Sequence, residues 1–159
     1  MVFACSRELF EAAREASRDA GRIERQLAAL ESSATRLAGP SMGPRVRSTG
    51  DPDRMGRSVA TKVDRESMLR RRQEDDYALI DAANRVLYGR DGRSGLWALV
   101  GWRADAVALH YLNDMTWEQV ADSLCYSKFH VWREAQVALE TADAWGLASV
   151  MDGIGGATD

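Results

Sequence analysis

A chain of 159 residues, 45% hydrophobic and 28% charged, has room for one globular domain or a small domain with an appended hairpin. Its two cysteines, Cys5 and Cys125, are too few for a disulfide framework or a cysteine-built zinc site, and no apolar run is long enough to span a bilayer. The formal net charge of −3 hides an asymmetry: residues 1–40 balance, residues 41–72 carry +5 and residues 73–159 carry −8. These features predict a reducing, cytoplasmic setting with no metal, no cofactor and no membrane partner. Charged residues begin at Arg7 and Glu8, so no signal peptide is expected.

Three prolines, and few stretches rich in Val, Ile or Thr, point to an all-α fold. Residues 4–38 carry Leu9, Ala13, Ala16, Ala20, Ile23, Leu27, Leu30, Ala34 and Leu37 at alternating spacings of four and three, the seam of a coiled-coil-like helix. Gly39-Pro40 ends it, because proline lacks the next backbone donor. Residues 39–51 then read as a basic loop rich in glycine and proline. Asp51 and Pro52 restart a helix running to about Tyr88, with a predicted seam of Met55, Val59, Val63, Leu69, Tyr77, Ile80 and Leu87. Folding this helix back on the first gives a long antiparallel hairpin over residues 1–92; pairing with a second chain is equally open. Gly89–Gly95 reads as a turn, and a third helix is expected from Ser94 or Gly95 through Leu112. Beyond Trp145 periodicity fades and glycine rises, which predicts a flexible tail over 147–159.

The richest segment is Tyr111–Leu139. Thr116 and Gln119 have the spacing of a capping box, and Val120, Ala121 and Leu124 follow on one helical face. Cys125-Tyr126 interrupts the pattern, and Ser127 is a good cap for the next helix, whose stripe is Val131, Ala135, Ala138, Leu139 and Ala142. Two capped helices joined by so short a turn form a helix-turn-helix, predicted over 93–146 as a three-helix module. Its second helix has the dimensions of a reader of the DNA major groove.

The run M-T-W-E-Q-V-A-x-x-L, followed by Y-S-x-x-x-V-x-R-x-x-x-x-A-L, resembles region 4 of sigma factors and the similar C-terminal module of phage transcriptional regulators. Residues 45–64, RVRSTGDPDRMGRSVATKVD, resemble a segment upstream of that module in small phage and integrated-element proteins similar to late-gene activators of the RinA and ArpU type. The resemblance implies a groove-facing role for Lys128, Phe129, Trp132 and Arg133. Arginine and lysine suit guanine or phosphate, glutamine at Gln136 suits adenine, and the rings of Phe129 and Trp132 suit thymine methyls or a protein face. Thr116 and Ser127 are placed to meet the backbone. Glu134, Gln136 and Val137 depart from the family's basic pattern, and between Ser127 and Trp145 two basic residues face three acidic ones. That balance reduces the counterion-release contribution to affinity. A left-handed backbone at Cys125, where glycine or asparagine is usual, would cost roughly 1 kcal/mol.

Outside this segment, Arg45, Arg47, Arg54, Arg57, Lys62 and Arg65 form a basic cluster suited to phosphate or an acidic partner. Arg70-Arg71-Arg72 reads most simply as pairing with Glu74, Asp75 and Asp76 at helical spacing. Trp97 and Trp102 read as core or interface, and Trp117 as a plug across the first turn of its helix. His110 and His130 lack a second ligand at metal spacing, and neither cysteine has a local base, so no enzyme is expected. The expected function is sequence-specific binding of double-stranded DNA in transcription control, with RNA polymerase or a second copy of the chain as further partners. The alternative is a non-enzymatic interaction module in which the hairpin is the working surface and the helix-turn-helix does not bind DNA.

Overall fold

The computed structural model describes residues 3–37, 53–92 and 94–152. Among them the regular structure is helical throughout, with no strand. Seven helices follow in order: α1 (Ser6–Leu37), α2 (Asp53–Tyr88), α3 (Leu96–Val100), α4 (Trp102–Tyr111), α5 (Trp117–Leu124), α6 (Lys128–Trp145) and α7 (Leu147–Asp152). The basic loop expected at 39–51, with Arg45 and Arg47, lies outside the described residues, as do the last seven positions.

Two compact units divide the chain. One comprises Met1–Asp19 with Asp76–Asp159, the other Ala20–Asp75. The boundary read from sequence between residues 92 and 93 is not the one the contacts draw, because the start of α1 and the end of α2 bury their side chains with α3–α7. Leu9, Phe10 and Ala13 from α1 join Ala83, Val86 and Leu87 from α2 in one core with Val107, Val120, Val131 and Leu139. In the smaller unit Ala20, Ile23 and Leu69 are buried, and Lys62 Nζ donates to Ser33 Oγ at 3.1 Å.

The stripe expected on α1 is buried from Leu9 to Ile23 and half-buried at Leu27 and Leu30. The seam expected on α2 is displaced. Its less exposed positions recur at 62, 66, 69 and 73, then 76, 80, 83 and 87, a strict alternation of four and three. Leu69, Ile80 and Leu87 lie in that frame, whereas Val59, Val63 and Tyr77 are exposed. The reason is that α2 carries apolar residues on more than one face, and the inward face includes Lys62, Glu66 and Gln73, which apolarity alone would not select.

Two further expectations change. The third helix does not run unbroken to Leu112, since Gly101, at φ 58° and ψ −133°, separates α3 from α4 in a conformation suited to glycine. The tail also does not begin at 147. Gly146, at φ 81°, turns the chain after α6, and α7 returns Val150 to full burial with Leu147 packed on the core. The Gly89–Gly95 turn is tightly built: a Cβ on Gly95 would meet the Gly89 nitrogen at 2.5 Å and the Leu87 carbonyl carbon at 2.7 Å.

Candidate functional site

Local signals between Met115 and Trp145 act as their residue types require. Thr116 Oγ1 accepts from the Gln119 amide at 3.4 Å, and the Gln119 side chain accepts from the Thr116 amide at 2.8 Å, a complete capping box for α5. Cys125 ends α5 in the left-handed region at φ 58° and ψ 38°. Ser127 Oγ accepts from the His130 amide at 3.3 Å and caps α6. Val131, Ala135, Ala138, Leu139 and Ala142 are buried, so the opposite side of α6 faces outward. Both cap residues remain solvent-exposed, while their hydroxyl oxygens hold helix amides.

On that outward side lie Phe129, Trp132 and Arg133, and Lys128, in the first turn of α6, is exposed as well. Lys128 forms an ion pair with Glu118 of α5, across the turn. This pairing holds the Glu118 carboxyl below its usual range. Arg133 Nη2 lies 3.1 Å from Glu134 Oε1. Both lysine and arginine keep more than half of their side-chain surface in water, at 58% and 57%. The Lys128–Glu118 pair, exposed on both sides, contributes little, because solvent competes for both charges.

Gln136 is less available than the sequence implies. It is half-buried and accepts from Arg7 of α1, so its amide faces the start of the chain. Glu134 also differs from its expected character. Instead of adding negative charge to the outer face, it is 8% exposed and bonds Arg103 of α4, Nε to Oε2, at 2.5 Å. Arg103 first, and Arg133 after it, lower the Glu134 carboxyl below its ordinary range. Part of the acidity of α6 is thus neutralised internally.

Arg103, Glu118 and Arg7 are the participants that sequence reasoning missed. Each meets its partner across a turn or from another helix, at separations that no helical periodicity encodes. The aromatics also group in ways spacing did not show. Trp102 stacks on Tyr126 with centroids 4.7 Å apart, His130 lies 5.8 Å from Trp102, and Trp97, expected in the core or at an interface, is exposed.

At the other end of α5, Trp117 stacks on His110 at 3.8 Å, so it packs onto α4. Arginine can only donate, so His110 Nε2 accepts from Arg14 Nη1 at 3.1 Å, leaving Nδ1–H to donate to the Met115 carbonyl at 2.8 Å. Burial, opposed in part by the Met115 bond, lowers the His110 pKa. Asp114 stands beside it at φ 54°, gripped by Arg14 Nε and Arg18 Nη2, each at 2.7 Å. Hydrogen bonds from Arg18 and then Arg14 pull its carboxyl down to about 2. This cluster ties the α4–α5 turn to α1.

Among the described residues no group of three or more His, Cys, Asp or Glu side chains is arranged to hold a metal ion. No helix among them is long and apolar enough to cross a membrane. Comparison with family models, curated proteins and solved structures finds no match to this chain.

Proposed function

We propose that the chain binds double-stranded DNA through α6 as a transcriptional regulator, with α4, α5 and α6 acting as a sigma-region-4-like helix-turn-helix and α1 with α2 as a helical hairpin. The observation that carries this reading is the outward side of α6: Phe129, Trp132 and Arg133 share it, with Lys128 exposed beside them in the first turn after the Ser127 cap. A helix amino end also offers unpaired amides and positive potential toward phosphate. Arg133 and Lys128 are the base readers in this reading, Thr116 and Ser127 meet the backbone, and Gln136 contributes only after leaving Arg7. RNA polymerase or a second copy of the chain would engage the hairpin.

A salt titration of duplex binding tests it. Wild-type affinity should fall steeply with salt, and Arg133→Ala should cost about 1–3 kcal/mol if the guanidinium meets a guanine edge in two places. Lys128→Ala should lower the salt slope by roughly one. Glu118→Gln should act oppositely, strengthening binding at low salt, because it releases Lys128 toward the duplex. Binding that ignores all three substitutions would sink the proposal.

A second reading has its own observation. Val59 and Val63, one turn apart on α2, are 59% and 55% exposed and place an apolar pair on one outward face. An interaction protein working through that surface would keep full partner affinity in the Arg133→Ala chain.

A further inference from the structure

The exposed face of α6 carries a finer inference, which rests on duplex DNA being the partner. Phe129 is 69% exposed and Trp132 is 44% exposed, with ring centroids 6.1 Å apart. Neither ring fills the core, because the opposite stripe of α6 already does. Lys128 precedes the pair and Arg133 follows it, so an apolar tip is bracketed by cations beside a helix amino end. A major groove has the complementary layout, with base edges on its floor and phosphates along both walls. Only thymine places a methyl group on that floor. Lys128 and Arg133 are each occupied by a carboxylate, whereas the two rings keep much of their apolar surface open to a groove.

We propose that α6 selects thymine, packing Phe129 and Trp132 against 5-methyl groups while Lys128 and Arg133 engage neighbouring guanine or phosphate oxygens. Specificity then depends on apolar contact as much as on hydrogen bonding.

The test alters the DNA and leaves the protein intact. A duplex is selected from a random pool with the full chain, then resynthesised with deoxyuridine replacing thymidine at one position at a time. Base pairing and hydrogen-bonding edges stay unchanged, and only a methyl is lost. At one or more positions binding should weaken about fourfold, the equivalent of one CH2 group leaving apolar contact. The Phe129→Ala and Trp132→Ala chains, with helicity checked by circular dichroism, should bind the two duplexes alike at the positions their rings cover. Equal wild-type binding to every uracil duplex overturns thymine selection and leaves the DNA reading standing. No retention of any duplex at low salt overturns both.

Discussion

Replacing Phe10 with alanine is expected to destabilise the larger unit by about 3–5 kcal/mol. Phe10 has no exposed surface, lies with its ring centroid 5.8 Å from that of Tyr111, and belongs to the core that also holds Val120 and Val131. Deleting its ring removes transfer free energy and leaves a cavity among side chains from several helices, which collapse only partly. For a chain of this size the melting midpoint should drop by roughly 6–20 °C. Because two compact units need not unfold together, hydrogen exchange at Val120 and Val131 is the sharper measurement. Val63→Ala on the exposed face of α2 is the control and should change stability by less than about 0.5 kcal/mol. A Phe10→Ala chain that melts like wild type would show that the start of α1 is not integral to this core.

Acidification should loosen the same unit in two stages. His110 is held neutral by burial, so its folded pKa lies below the ordinary value of 6.5. Its stabilising contribution is complete above that value and declines as pH falls through 6.5 toward the folded pKa. The unfolded chain takes up the proton first in that window, and one proton limits the slope to about 1.4 kcal/mol per pH unit. Protonating Nε2 also turns an acceptor into a donor facing Arg14. Asp114 follows at lower pH: its stabilising effect is present above its ordinary 3.8 and is lost as pH drops toward about 2. Thermal melts of wild type and His110→Gln between pH 7.5 and 5 should diverge, with the variant's midpoint the less sensitive to pH. Parallel curves would remove His110 from this account.

Much of this architecture was legible because it is written in nearest neighbours. The capping box at Thr116 and Gln119, the Ser127 cap and the buried stripe of α6 all depend on residues within a turn or two of one another. The left-handed backbone at Cys125 was legible only through the resemblance, whose pattern usually has glycine or asparagine at that turn. What escaped was set by partners far along the chain. Whether Val63 or Glu66 of α2 faces inward depends on the surface it meets, not on its own polarity. Glu134 looked like a solvated acid until Arg103 arrived from α4, and Gln136 looked like a base reader until Arg7 took its oxygen. Gly101 was visible, but only φ 58° distinguishes a helix break from a tolerated glycine. Val150 offered too little periodicity around it to announce α7.

Ser6 has a consequence for how the molecule is made. Its buried hydroxyl donates to the Leu139 carbonyl at 3.0 Å, and its amide donates to Asp143 at 2.6 Å, across more than 130 positions of chain. A ribosome delivers these partners more than 130 residues apart. At about 5–20 residues per second, the early segment waits at least several seconds for its acceptors to emerge. Until then the apolar stripe through Leu9, Phe10 and Ala13 lacks the α6 side chains that share its core in the folded unit. Closure of this loop, and not helix formation, should therefore pace maturation of the newborn polypeptide.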